Sequence, residues 1–397
     1  MWVRIFDKFL RHLIRDGDLT VTFADGHVRR YGNGTGPAVA ITLHDAHLPR
    51  RIVLSPDMAV GEGYMDGRLT IEDDDVHGFL SLAIRNISAQ GQPWYRRPLE
   101  GLRRLKRRLD QFNPVARARA NVAHHYDLDE QLFRAFLDDD MQYSCAYWPP
   151  GVTDLDTAQA AKRALIRKKL CLKPGQRVLD IGCGWGGLAI ELAKQAGAKV
   201  VGLTLSEQQA RVARERVRER GLTEQVDIRL QDYRDVSERF DRIVSVGMFE
   251  HVGVRYYRRF FRELQKHLTP DGLALIHTIG RSGPPTVTNP WIRRYIFPGG
   301  YIPAMSEVTA AIERQGLVIT DVEVLRLHYA ETLAHWFSRF QQSRQTMVEA
   351  KGERFCRLWE FYLAACEGAF RWGDLVVFHF QISQQKDAAP LTRDYLC

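Results

Sequence analysis

The chain has 397 residues, 45% apolar and 26% charged, an ordinary globular composition with room for two domains and at least one large core. Its net charge of +8 favours an anionic partner, yet no stretch contains the roughly 18 apolar residues that cross a bilayer, so any membrane contact is peripheral. The six cysteines, Cys145, Cys171, Cys183, Cys356, Cys366 and Cys397, show no Cys-x-x-Cys pair, no zinc spacing and no accompanying export signal, so a cytoplasmic protein with reduced thiols and no metal is expected.

In chain order, Met1 to Asp16 places Trp2, Ile5, Phe6, Phe9, Leu10 and Leu13 at helical spacing, interrupted by Arg4, Lys8, Arg11 and Arg15. This is an amphipathic helix, suited either to lying on lipid or to packing against its own domain. Asp18 to Thr70 reads as short alternating strands, with turns at Ala24-Asp25-Gly26 and Gly32-Asn33-Gly34; Val76 to Asn86 reads as a helix. Together they predict a small α+β domain over 1–95. Between Arg96 and Arg119, nine Lys and Arg stand against Glu100 and Asp110 only. With Pro98 and Pro114 this is a basic linker over 96–120, either solvated or meeting anionic lipid. Few aromatics are interleaved and no nucleic-acid fold signature follows, so nucleic acid is not an expected partner.

Over 121–397 the pattern changes. Apolar β-branched runs at Arg177 to Ile181, Lys199 to Leu205, Val226 to Leu230, Arg242 to Val246, Leu273 to His277 and Val318 to Leu325 alternate with helical stretches. That alternation predicts an α/β fold, an open parallel sheet with helices on both faces, whose ligands bind at the carboxyl ends of the strands. Arg281 to Pro303 is rich in Pro and Gly, carries Trp291, Tyr295, Phe297 and Tyr301, and is too long for a plain connection; an inserted cap is expected.

Val178 to Gly187 ends a strand in a glycine-rich turn that opens a helix. Gly182, Gly184 and Gly187 fit a dinucleotide site as well as an S-adenosylmethionine site, with Gly186 in the same turn. The neighbours separate the two. Asp180 at the strand end can meet the cationic amino group of S-adenosylmethionine but would repel a pyrophosphate. The acid that a dinucleotide ribose needs about 20 residues further on is replaced by Gly202-Leu203-Thr204-Leu205-Ser206. After the third strand, Asp232 and Tyr233 suit the edge and face of an adenine. Ser206 and Gln209 read equally well as a capping box, and Thr204 as a β-branched strand residue.

A further set of segments runs in order to the end of the chain: His125 to Asp127, Met141 to Trp148, Gly182 to Gly187, Gly202 to Ser206, Phe249 to Gly253, His277 to Ile279, Phe297 to Pro303 and His328 to Trp336. Together these resemble the cyclopropane fatty acid synthases and the related mycolic acid cyclopropane synthases. The resemblance implies a Rossmann-like class I methyltransferase domain over 121–397. Gly61 to Gly67 makes the N-terminal domain similar to the extra domain of the family's phospholipid enzymes, which implies lipid binding or dimerisation by 1–95, a homodimer, and a peripheral position on the inner face of the membrane.

For the site, the resemblance implies a bicarbonate ion held by Cys145, Glu250, His277, Ile279 and Tyr329. It also implies cofactor contacts from Tyr143, Ser144, the glycines, Thr204, Gln209 and Asp232. Leu128 to Phe133 departs from the family's pattern and bears on the lid rather than the chemistry. The activity implied is transfer of a methylene from S-adenosylmethionine to the cis double bond of an unsaturated phospholipid acyl chain, with bound bicarbonate deprotonating a carbocation so that a cyclopropane ring closes.

These residue types suit that chemistry. An alkene is a weak nucleophile, so the donor methyl has to be held in line with it. The cation that follows needs shelter from water and electron-rich surfaces, for which Tyr147, Trp148, Phe249, Tyr301 and Tyr329 are candidates. A base then removes one proton, and Glu250 and His277 can orient it or share the proton. Taken singly, Cys145 fits a buried small hydrophobe, His277 a satisfied strand-end histidine and Glu250 a helix N-terminal acid. Two rivals stand beside this function: a methyltransferase that leaves a methyl branch or methylates nitrogen or oxygen, and a lipid-binding protein without turnover.

Overall fold

The computed structural model describes residues 1–90 and 130–396. The basic segment Arg96 to Arg119, the His125 to Asp127 motif and Cys397 lie outside the described residues. The described residues form two compact units. One holds residues 1–90 with Thr288–Ile296 and Leu333–Asp374; the other holds residues 130–287, Phe297–Thr332 and the chain from Leu375. This differs from the expected division, in which everything after 121 is one domain: two later segments pack with the N-terminal one.

In the first unit, strand β1 (Asp18–Thr22) pairs antiparallel with β2 (Val28–Gly32) and parallel with β3 (Ala38–Leu43). The short β4 (Leu69–Ile71) closes the far edge against β3. The stretch between β3 and β4, expected as strand, is instead two helices, Leu48–Leu54 and Pro56–Met65. Each carries a proline in its first turn, where the missing N–H costs no intrahelical bond. The helix Trp2–Leu13 forms as expected and buries Phe6 and Leu10.

Gly61 shows how the later segments join this unit. A Cβ at that position would lie 2.5 Å from Trp291 Nε1, so the glycine makes room for the indole. Trp291 is held by the short helix Pro290–Tyr295, whose N-cap Asn289 side chain accepts from the N–H groups of Trp291 and Ile292. Tyr295 then donates to Glu62 at 2.8 Å.

The second unit is built on a seven-stranded sheet in the order β10-β11-β9-β8-β5-β6-β7. Its strands are β5 (Arg177–Ile181), β6 (Lys199–Thr204), β7 (Val226–Leu230), β8 (Phe240–Val246), β9 (Leu268–Arg281), β10 (Val318–Leu325) and β11 (Leu375–Ser383). β5 to β9 are mutually parallel, and β11 runs antiparallel between β9 and β10. The sheet is therefore mixed at one edge rather than wholly parallel. β11 was not among the six expected strands, although Val376 to Phe378 carries a plain strand signal.

Both faces of the sheet are covered. Leu179, Val201, Leu203, Ile243 and Ile276 pack with Phe260, Phe261 and Leu264 of the helix Tyr257–His267. Their neighbours Val178, Val200, Val244 and Leu275 pack with the helices Gly187–Ala196 and Glu207–Glu219. That is why the strands read as continuous apolar runs, since a two-sided sheet has no solvent face to alternate with.

In the N-terminal unit, Gly61→Ala should destabilise by about 1–3 kcal/mol through overpacking against Trp291, outweighing the helix-propensity gain of roughly 1 kcal/mol. At Gly63 the added Cβ meets Leu48 at 3.3 Å, within reach of small adjustment, and Gly63→Ala should be near neutral. Urea unfolding of the two variants checks both.

Candidate active site

The site of the second unit is assembled at the carboxyl ends of β5, β6 and β8. Asp180, next to last in β5, is buried, and its Oδ2 has no hydrogen-bond partner. Burial pushes its carboxyl up to about 7, against a smaller opposing pull from Lys162. The chain then turns through Gly182, at φ +88 and packed against Met248, a conformation and approach that a side chain would obstruct. At the end of β6, Thr204 donates to Gln209 Oε1 at 2.8 Å. After β7, Asp232 is buried and bound by Arg234 through Nε at 2.7 Å and Nη2 at 2.6 Å, with Tyr233 beside it.

The remaining wall comes from residues 138–148, a loop without regular structure that is tied down at several points. Asp138 accepts from the Gln142 N–H at 2.7 Å, and Arg216 donates to the Asp140 and Trp185 carbonyls. Gln159 Nε2 donates to the Ser144 carbonyl at 2.9 Å, and Thr332 Oγ1 accepts from the Ala146 N–H at 3.0 Å. Lys162 Nζ donates to Gln142 Oε1 at 2.7 Å and to Ser144 Oγ at 2.9 Å. This lysine is wholly buried, and burial brings its ammonium down to about 7.

One cavity is lined by Tyr143, Ser144, Asp180, Gly182, Gly184, Thr204, Gln209, Asp232 and Tyr233. Two expected cofactor residues do not line it. Ser206 caps the helix Glu207–Glu219 by accepting from the Gln209 N–H, and Gly186, at φ +82, packs a would-be Cβ against Ala213. Gln142, Met248 and His251 line it unforeseen. Gln142 and His251 lie within the segments Met141 to Trp148 and Phe249 to Gly253 singled out above, whereas nothing in the sequence separated Met248 from an ordinary core residue. Burial holds the His251 ring neutral, down to about 4.

The five residues expected around an anion fall outside that lining, in two groups. Glu250 follows β8 in the one-turn helix Phe249–His251 and is buried. Its Oε1 accepts from the Ile279 N–H at 2.6 Å, its Oε2 has no partner, and burial pushes its carboxyl up to about 7. Ile279 thus acts through its backbone, with His277 on the same face of β9 two residues earlier. In the second group, Cys145 is wholly buried beside Thr332, and burial pushes its thiol up. Tyr329 lies buried one turn before Thr332 on the helix His328–Gln342. Lys162, whose partners Gln142 and Ser144 line the cavity, also acts electrostatically on Cys145, His277 and Asp180. Among the aromatic candidates, Phe249 is a core residue, stacked on Tyr257 with ring centroids 4.3 Å apart. Tyr301 is buried too, and its hydroxyl donates to Glu307. Tyr147 stacks on His328, and Trp148 donates to the His328 carbonyl.

The family model described as mycolic acid cyclopropane synthetase matches residues 114–380. The chain belongs to the mycolic acid cyclopropane synthetase family. A model described as a domain of unknown function covers residues 5–89. The cyclopropane-fatty-acyl-phospholipid synthase of Escherichia coli K12 is 40% identical over 354 residues, 89% of each chain. The tuberculostearic acid methyltransferase of Mycobacterium tuberculosis is 35% identical over 402 residues, 96% of this chain and 91% of its own. Among solved structures, the mycolic acid cyclopropane synthase CmaA1 in complex with SAH and CTAB superposes with a TM-score of 0.63 at 34% identity, covering 69% of this chain and 99% of that one. The sheet is therefore that of a class I S-adenosylmethionine-dependent methyltransferase, and the chain is an enzyme of a family that uses S-adenosylmethionine to methylate lipid double bonds.

The cavity fits that cofactor on its own chemistry. Asp180 offers a buried oxygen that lacks a partner, at the strand end where a cationic amino group would restore the charge balance. Because its carboxyl is raised, the native state holds a proton between about pH 4 and 7 that the unfolded chain has lost, so the ligand-free protein loses stability as pH rises through that window. Asp180→Asn should flatten part of that decline in pH-dependent thermal unfolding. The same change should weaken S-adenosylmethionine binding by ~10-fold or more in calorimetry, through loss of one charge-assisted contact.

Proposed function

We propose that the chain builds a cyclopropane ring at the cis double bond of an unsaturated phospholipid acyl chain, with a bicarbonate ion held by Glu250, Cys145, His277, Ile279 and Tyr329. The observation that carries this is Glu250: buried, fixed by the Ile279 N–H through one oxygen, with the other lacking a partner and the carboxyl raised to about 7. Near neutral pH such a group keeps a proton to share. Cys145 stays a thiol and His277 a neutral imidazole for the same reason, burial. A set of buried, uncharged donors suits a small anion better than a cation.

When bound, S-adenosylmethionine supplies an electrophilic methyl and bicarbonate a base for one proton. The protein's own share is positioning and shelter. Asp180 anchors the donor's amino end; Lys162, through Ser144 and Gln142, fixes the wall that carries Tyr143. Tyr147 and Trp148, on the same tethered loop, present aromatic surface to a cation on the acyl chain. The base, not the methyl transfer, separates ring closure from a methyl branch, because both outcomes begin with the same attack on the alkene.

Phospholipid rather than a carrier-bound chain is the proposed substrate, with the N-terminal unit as membrane contact on the cytoplasmic face and as dimerisation surface. Val3 and Ile5 stand exposed beside exposed Arg4 and Lys8 on the helix Trp2–Leu13, an apolar and basic pairing that suits anionic headgroups. Among the described residues no helix is long and apolar enough to cross a membrane.

Incubation with labelled S-adenosylmethionine and vesicles of unsaturated phospholipid should give a ring-bearing acyl chain by mass spectrometry; a methyl branch or a methylated headgroup amine would overturn the proposal. Glu250→Gln should lower turnover ~100-fold or more, the scale of losing a positioned proton-transfer group, with S-adenosylmethionine affinity retained. In vesicle sedimentation, Ile5→Glu should reduce binding to anionic vesicles several-fold without changing cofactor affinity.

A further inference from the structure

His277 does not stand alone in the sheet. Across the antiparallel β9–β11 pair it lies directly opposite His379, with His277 Nδ1 and His379 Nε2 2.7 Å apart. His379 Nδ1 in turn lies 3.2 Å from Lys169 Nζ, at the end of the helix Leu155–Lys169. Lys169 also donates to Glu323 of β10, whose side chain is 32% exposed while that of Lys169 is 1% exposed. Both histidines are buried at 1% exposure. A row of four titratable groups therefore runs from the anion-site histidine to the surface, and the mechanism above uses only the first.

The direction of this row is fixed by chemistry. An ammonium donates and cannot accept, so His379 Nδ1 has to be the accepting nitrogen toward Lys169. A neutral imidazole with an accepting Nδ1 carries its hydrogen on Nε2, so His379 donates to His277 Nδ1. His277 Nδ1 is thereby the acceptor, and its own hydrogen sits on Nε2. Burial brings the Lys169 ammonium down and the Glu323 carboxylate opposes that, so the ion pair on its other side leaves Lys169 the donor toward His379. Burial also keeps both rings neutral, which is the condition under which a tautomer is defined.

We infer that Lys169 and His379 are positioning residues that lock His277 in the Nε2–H tautomer, so that it serves the bound anion as a hydrogen-bond donor rather than competing with it as a lone-pair acceptor. The consequence for turnover rests on the anion site proposed above; the tautomer itself does not. With the opposite tautomer, a lone pair on His277 Nε2 would repel the anion. The same logic governs metal-ligating histidines, whose outer hydrogen-bond partner fixes the tautomer and whose loss typically costs ~10–100-fold.

The test combines a spectrum with four variants of the row. In 15N-histidine-labelled protein, with the His277 signals assigned by their loss in His277→Asn, wild type should show a protonated Nε2 and a bare Nδ1. His379→Leu and Lys169→Met should lower kcat ~10–100-fold with S-adenosylmethionine affinity unchanged, and His379→Leu should mix the His277 tautomers. His379→Gln should retain most of the activity, because its carboxamide still donates to His277 and accepts from Lys169. A wild-type His277 protonated on Nδ1 would overturn the inference, and this measurement stands even if a variant fails to fold. So would a His379→Gln variant that keeps the tautomer yet loses as much turnover as His379→Leu, since the pair would then be moving protons instead of setting a tautomer. If the anion site itself is wrong, Glu250→Gln keeps its turnover while the wild-type tautomer stands.

Discussion

Desolvation without a matching counter-charge is the constraint around which this active site is organised. Asp180 and Glu250 are both buried, each has one oxygen without a partner, and each has its carboxyl lifted to about 7. A fold that served stability alone would pair or expose them, since an unpaired buried charge is costly. The two differ in what would relieve them. Asp180 lines the cavity and suits an incoming cation; Glu250 keeps its proton and suits an incoming anion. A sulfonium donor carrying a cationic amino group and the small anionic base proposed above would meet these opposite needs within one unit.

The sheet makes this affordable by fixing the backbone around the site. The carboxyl ends of β5, β6 and β8 bring Asp180, Thr204 and the Glu250 turn together through the backbone of the sheet. The loop over 138–148 has no such support, and it is held instead by Lys162, Gln159, Arg216 and Thr332. Lys162 has the largest reach, since its field touches Cys145, His277 and Asp180. A buried ammonium brought down to about 7 is costly for the same reason as the carboxylates, and it offsets part of the penalty of Asp180.

Much of this was legible in the amino-acid order. Six of the seven strands of the second unit follow from their β-branched runs, and Asp180 before the glycine turn, the missing ribose acid and Asp232-Tyr233 together separate S-adenosylmethionine from a dinucleotide. The helices over 48–65 were missed because their apolar residues do not repeat cleanly and Gly61 and Gly63 are poor helix formers, when Gly61 is there to admit Trp291. β11 was missed because His379 and Gln381 break its apolar run, and both are buried polar groups with partners distant in sequence. Lys162 and Lys169 were invisible for a related reason. Within a helix that also carries Arg163, Arg167 and Lys168, nothing in the sequence says which basic side chains turn inward. Partnerships formed across the sheet, not local pattern, decide those roles.

The central claim is that Glu250 is a protonated, anion-ready acid at neutral pH. Infrared difference spectroscopy of the ligand-free protein against Glu250→Gln measures this directly. A carboxylic acid band that disappears in the variant and titrates near 7 is the predicted result. A Glu250 already ionised at pH 5, titrating like an ordinary surface carboxylate, would contradict the account.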